Sequence, residues 1–260
     1  MLSDCGHGLR GTLAKTLIAV VQRSLGLDFD LEDTRFGRFY MRKECERLRG
    51  RLQFASNQIA GKRAGSAFKV LTRHLVSNRS ALGDDLKIAL LFLRDCFLDG
   101  PPRSLNANIL HLRHTNVDAS CDDNKVGLGG VLVSEQGSKV AYFSEWAADE
   151  LKEIVAPTSK NPIFEFECLA VLLAIKTWSG LIGGCNLVIF SDKEGTKACL
   201  VKGSSDNEVG MAIVDSVHKS LDDAGCNAWF ERANTAWNVS DGPSRGRCNL
   251  SCAISAGSLG

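Results

Sequence analysis

No stretch of the 260 residues is apolar for long enough to cross a bilayer. The best run, LIAVV at residues 17–21, falls far short of the about 20 residues a spanning helix needs. No small-residue cleavage site follows it, so neither a signal peptide nor a membrane span is expected, and an intracellular setting, cytoplasmic or nuclear, is the reading. Metal-binding cysteine pairs are also lacking. The 10 cysteines are scattered, and Cys248 with Cys252 has no second pair at ligand spacing, which points to reduced thiols rather than a zinc module or a disulfide framework. Internal repeats and low-complexity segments are absent too, which excludes a solenoid.

What is present is ordinary globular material. Hydrophobic residues make up 44% and charged residues 23%, enough for one large domain or two small ones with a real core. The net charge of +1 hides an asymmetry: residues 1–110 carry 18 Lys and Arg against 11 Asp and Glu, and the remainder 13 against 19. The basic excess is densest between Arg35 and Arg73, in RKECERLRGRLQ and GKRAGSAFK. Such a run is either a solvated helix face or the footprint of a nucleic-acid contact.

The two halves also differ in periodicity. Apolar residues at helical spacing predict helices over 35–60, 62–80 and 83–98, the last stopped by Gly100-Pro101-Pro102. Beyond that point a strand from Leu112 to Ala119 and two more around the turn Glu135-Gln136-Gly137 form an expected meander. PIFEFECLAVLLAIKTWSGL, apolar on several sides, reads as a helix packed heavily on a sheet, and NLVIFSD as a strand buried on both faces. Two helices, EGTKACLV and NEVGMAIVDSVHKSLDDAG, and a strand, NAWFERA, complete the order βββαβααβ.

Four acids are singled out by position. Asp118 is expected at the end of the first strand, Glu167 in the first turns of the long helix, Asp192 at the exit of the buried strand, and Asp241 after the last strand. If the first and fourth strands are neighbours, their ends lie roughly 5 Å apart, and the helix crossing the sheet can point one turn at the same spot. Carboxylates so gathered raise one another's pKa, and a divalent cation relieves that. Oxygen ligands without His or Cys favour Mg²⁺ or Mn²⁺, and a pair of such ions about 4 Å apart is the usual clamp for phosphodiester hydrolysis. Taken singly, each acid is equally a turn or capping residue, Asp192 as a helix N-cap for example. Glu165 and Glu167, two residues apart on one helix, point to different faces.

VDASCDDNKVGLGGVLV, EFECLAVLLAIKTW, LVIFSD and NVSDGPSRG together resemble the ribonuclease H domain attached to retroelement reverse transcriptases, most closely those of the DIRS-like class. Upstream, LRGRLQFASNQIAGKRAGSAFKVLTRHL and DGPPRSL are similar to the thumb or connection segment of those elements, so the likeness covers about residues 40–247. The acid-x-x-Ala pattern of the resemblance selects Glu167 over Glu165, which is expected to face solvent or the strand edge. Two departures stand out. No Phe/Tyr-x-Asp-Asp polymerase signature occurs, Cys121-Asp122-Asp123 being read as a polar turn. The loop before the last acid, ERANTAWNVS, lacks the His that many ribonucleases H carry, and His7, His74, His111, His114 and His218 are read as structural or surface.

The resemblance implies an α/β fold, a five-stranded mixed sheet flanked by helices and preceded by a small all-α region. Its parts are an N-terminal segment 1–34, a helical region 35–104, a ribonuclease H-like domain 105–247 and a tail 248–260. It implies cleavage of the RNA strand of RNA/DNA hybrids by Asp118, Glu167, Asp192 and Asp241 holding two Mg²⁺ (or Mn²⁺) ions, with a polymerase module of the same element as partner. Arg47, Arg49, Arg51, Lys62, Arg63 and Arg245 are the candidate phosphate contacts. The competing reading is a non-catalytic nucleic-acid-binding remnant.

Overall fold

The computed structural model describes residues 46, 49–50, 53, 62–77, 83–98, 111–122, 125–155 and 162–247, and the backbone of 254–255. The region 1–34, most of the helix expected over 35–60, and Arg47 and Arg51 lie outside the described residues. The chain divides into two compact units, Met1–Arg103 and Ser104–Gly260. Among the described residues no helix is long and apolar enough to cross a membrane.

In the first unit, α1 (Gly65–Ser77) packs on α2 (Asp84–Leu98). Ala67 and Leu71, one helical turn apart, are buried on α1, and Leu86, Ala89, Leu93 and Cys96 repeat at three- and four-residue spacing on α2. That is the stripe an amphipathic helix turns toward its neighbour. The Arg63 guanidinium lies over the Phe92 ring, 6.0 Å from its centre.

In the second unit, β1 (Leu112–Asp122), β2 (Lys125–Val133) and β3 (Lys139–Trp146) form an antiparallel meander. A short helix, α3 (Asp149–Val155), follows it, and after it the long α4 (Ile163–Thr177) and the single turn α5 (Ser179–Ile182). Then come β4 (Asn186–Ser191), α6 (Glu194–Lys202), α7 (Glu208–Asp223) and β5 (Asn227–Arg232). A 3₁₀ turn (Thr235–Trp237) and a one-turn helix, α8 (Asp241–Ser244), close the described fold, apart from a two-residue strand β6 (Ile254–Ser255). The sheet order is β5-β4-β1-β2-β3-β6, with β1–β4 and β4–β5 parallel. Five strands are those the periodicity predicts. β6 falls in the stretch read as a tail, and α3 and α8 are single-turn or two-turn pieces too short for periodicity to reveal.

Strand alternation sets the two faces of this sheet. Val117 and Ala119 of β1, Val126 and Leu128 of β2, and Leu187 and Ile189 of β4 enter the core with Phe166, Ala170, Val171 and Ala174 of α4. Trp178 stacks at a tilt on Phe143, ring centres 5.4 Å apart. The intervening residues Asn116, Asp118 and Ser120 face the other way, toward α8. α8 can lie directly on β2 because Gly127 and Gly129 have no side chains there: a Cβ would stand 1.7 Å from the Ser244 carbonyl oxygen and 2.3 Å from the Ser244 nitrogen, respectively.

The first strand runs on through Cys121 and Asp122, which pair with Val126 and Lys125. Cys121 and Asp122 are therefore strand residues and not the polar turn expected. The hairpin's own cross-strand hydrogen bonding carries the ladder to its last pair. By the same extension Asp118 sits mid-strand opposite Gly129 rather than at a strand end.

Candidate metal centre

β1 and β4 are parallel neighbours, but their pairing stops at Asn116↔Phe190. Past that point β1 continues while β4 ends, and backbone groups that would have entered the ladder are left facing a gap. Glu167 fills it. The Ala119 N–H donates to Glu167 Oε1 at 3.3 Å, and the Ser191 hydroxyl donates to Oε2 at 3.0 Å. The carboxylate of α4 is thus held between the two strands by one bond from each.

Asp118, Glu167 and Asp192 meet there. Each offers a carboxylate oxygen, these oxygens lie within 4.8 Å of one another, and all three side chains are buried. Asp118 is fixed from the far end of the sequence: Asn238 Nδ2 donates to its Oδ1 at 3.3 Å and Ser244 Oγ to its Oδ2 at 2.5 Å. Asn238 also donates to the Val117 carbonyl at 3.2 Å, and the Ser240 hydroxyl to the Asn116 carbonyl at 2.6 Å. Ser120 Oγ donates to the Ser244 carbonyl at 2.7 Å and Ser144 Oγ to that of Pro243 at 2.6 Å. The stretch NVSDGPS is stitched to β1 and β3, with β2 packed against it between them.

Electrostatics mark the same place. Burial pushes the Asp118 carboxyl up from its ordinary 3.8 to about 6; the Ser244 hydrogen bond opposes this, while the charges of Asp192 and Asp241 add to it. Burial, then the charges of Asp118 and Asp192, push Glu167 from 4.5 to about 8 against the bonds from Ser191 and Ala119. Asp192 Oδ1 is buried without a hydrogen-bond partner, the Lys193 ammonium standing 3.6 Å away. Three buried carboxylates with an unpartnered oxygen and no imidazole or thiolate among them fit a hard divalent cation such as Mg²⁺ or Mn²⁺. Capping does not explain Asp192: the N-cap position of α6 is Lys193 and no side chain bonds there.

Asp241 stands apart from this trio. It opens α8, its side chain is about half-exposed, and it accepts from Arg245 Nε at 2.9 Å. Its charge still reaches Asp118, so it lies at the rim of the cluster. Arg245 donates through its other arm to Asp122 at 2.8 Å, and its hydrogen bond to Asp241 raises its pKa further. The guanidinium expected on a substrate phosphate is therefore engaged by two carboxylates. Ser244 beside it is buried and bonded to Asp118. Of the remaining basic candidates Arg49 is half-buried and Lys62 exposed, both in the first unit with Arg63.

Glu165 does not face solvent. It is fully buried, and its Oε1 accepts from Asn207 Nδ2 at 2.5 Å. Asn207 in turn caps α7, its Oδ1 accepting from the Gly210 N–H at 2.5 Å. The face of α4 opposite the sheet is covered by α7, so both acids of the helix start are interior.

Residues 114–213 match the family model of the RNase H-like domain found in reverse transcriptase. This ribonuclease H-like match spans Asp118, Glu167 and Asp192 and stops short of Asp241. No curated protein matches the chain. Among solved structures, RNase H1 of the halophilic archaeon Halobacterium salinarum NRC-1 is 16% identical, TM-score 0.42, over 52% of this chain and 96% of that one. LC11-RNase H1 in complex with an RNA/DNA hybrid is 11% identical, TM-score 0.43, over 52% and 94%. The foamy viral protease-reverse transcriptase in complex with RNA/DNA hybrid is 13% identical, TM-score 0.36, over 70% of this chain and 27% of that one. The mixed sheet flanked by helices rests on the strand order and register themselves.

The seat of α8 gives a direct test of how this centre is held. Gly129→Ala drives a methyl into backbone atoms of Ser240, Pro243 and Ser244, none of which can rotate away. The expected result is a loss of about 1–3 kcal/mol in urea unfolding, with weakened cation binding as Ser244 leaves Asp118. An unchanged midpoint would mean that α8 does not rest on β2.

Proposed function

We propose that residues 105–247 are a divalent-metal-dependent endonuclease acting on the RNA strand of RNA/DNA hybrids, in the C-terminal part of a retroelement reverse transcriptase. The observation that carries this reading is the buried trio Asp118, Glu167 and Asp192, gathered where β1 and β4 cease to pair. Asp118, Glu167 and Asp192 would hold two Mg²⁺ or Mn²⁺ ions, with Asp241 as a fourth carboxylate at the rim. Bound there, such ions supply an activated water and stabilise the leaving oxygen of a phosphodiester. The chain's own residues do the positioning. Asn238 and Ser244 lock the Asp118 carboxylate, Ala119 N–H and Ser191 lock that of Glu167, and the apolar core beneath β1 and β4 keeps water from their far side.

Hybrid as substrate is supported by the match to the domain found in reverse transcriptases. The 2′-hydroxyls in its wide, shallow minor groove are what distinguishes RNA from DNA. The ending NVSDGPSRG and the upstream likeness favour the DIRS-like class. Hydrolysis is the one activity proposed for this chain, a polymerase module of the same element being its partner.

The test is gel analysis of a hybrid labelled on each strand in turn, beside duplex DNA of the same sequence. RNA-strand products that require Mg²⁺ and vanish with chelator are expected, with the DNA duplex intact. A folded protein that binds the hybrid without cutting it would reject the nuclease and leave the binding remnant.

A further inference from the structure

Beside the carboxylates lies a groove of about 420 Å³ lined by Asn116, Phe190, Ala233, Asn234 and Trp237. Asn116 and Phe190 are cross-strand partners; Asp118 lies two residues on from Asn116 along β1, and Asp192 two residues past Phe190, just beyond the end of β4. Two residues along a strand return to the same face about 7 Å away, so the groove continues the carboxylate site on the side of the sheet that α4 does not cover. Its volume falls in the range of small-ligand sites, about 300–1,000 Å³.

The lining is chemically unspent. Trp237 is 80% exposed, and its indole has no hydrogen bond or ring contact among the described residues, whereas Trp146 lies under Lys125 and Trp229 donates to Glu231. The Asn116 side chain and the Asn234 Nδ2 have no partner among those residues either. Trp237 is nevertheless held in place. Its backbone N–H donates to the Asn234 carbonyl at 2.8 Å, the Asn234 side chain accepts from the Ala236 backbone N–H at 3.1 Å, and the next residue, Asn238, is bonded to Asp118. An exposed aromatic face on a hydrogen-bonded backbone and two amide Nδ2 groups beside a phosphodiester site have the chemistry of a nucleotide subsite. Sugars and bases stack on aromatic rings, and amides read their polar edges.

We propose that this groove binds the sugar and base of one nucleotide of the strand that crosses the carboxylates, with Trp237 as the stacking face and Asn116 and Asn234 as donors. The assignment of the strand to a hybrid rests on the function proposed above; the groove itself does not require cleavage. The experiment uses the whole chain with a short RNA/DNA hybrid and two readouts, tryptophan fluorescence in the Asp192→Asn background and steady-state cleavage in the wild type. Quenching by the hybrid should be lost in Trp237→Phe. Trp237→Ala should raise KM about tenfold, more than it changes kcat, and Trp237→Phe should restore KM to within about threefold. Thermal midpoints should match the wild type, since so exposed a side chain contributes little to the fold. Quenching from Trp237 without cleavage by the wild type would sustain the subsite and reject the nuclease. Cleavage with the same KM and quenching in all three proteins would overturn the subsite alone, and neither binding nor cleavage would overturn both.

Discussion

Glu167→Gln and Asp192→Asn are each expected to lower Mg²⁺-dependent hybrid cleavage by several orders of magnitude while the protein stays folded. Each replaces a buried carboxyl of the trio with a neutral amide of similar size, so the metal-free fold carries no added repulsion. What is lost is a ligand, and with it the stabilisation that a cation gives to an attacking and a leaving oxygen. Glu165→Gln is the control on the same helix, two residues away. Its carboxylate accepts from Asn207 and takes no part in the trio, and a glutamine oxygen can accept the same bond, so a loss of less than about tenfold is expected. Cleavage assays on the three variants decide it. A Glu165→Gln enzyme as inactive as Glu167→Gln would place the site on the α7 side of α4, and a normal Asp192→Asn enzyme would remove β4 from the site.

Without divalent cations the protein should become less stable as pH rises from 5 to 8. Asp118 and Glu167, lifted to about 6 and about 8, bind protons more tightly folded than unfolded. Their contribution is complete below the unfolded values near 4 and is lost as pH climbs through the folded ones. The two share one mutual repulsion, so the larger shift sets the scale, about 3–4 kcal/mol between pH 5 and 8. Glu231, held down to about 2 chiefly by its hydrogen bond from Lys197, is ionised throughout this range and adds no slope. Urea unfolding in chelator at pH 5, 6.5 and 8 measures the effect, and Mg²⁺ at pH 8 should recover much of it by binding the folded state alone. A flat or rising profile would mean that the trio is solvated and not buried.

Read alone, the sequence determined the strand and helix order of the second unit and three acids that meet in it. Each element is long enough for its period to show: alternation in β1 and β2, an apolar run in β4, and an all-round apolar surface in α4. Asp118, Glu167 and Asp192 were legible because each sits in, or in Asp192's case directly after, one of those strongly patterned elements, and parallel pairing of β1 with β4 then brings their side chains together. Tertiary structure alone decided the rest. Glu165 looked solvent-facing by helical rotation from Glu167, yet α7 covers that face, a contact between segments some 40 residues apart that no local period records. The bonds from Asn238 and Ser244 to Asp118 span 120 and 126 residues and depend on two glycines in β2 that let α8 approach. The same docking ties Arg245 to Asp241 and Asp122, so an arginine expected on substrate is held by the protein's own acids. Periodicity reports which face of an element is buried, but which neighbour buries it, and which polar groups that neighbour satisfies, is settled only when distant segments close on one another.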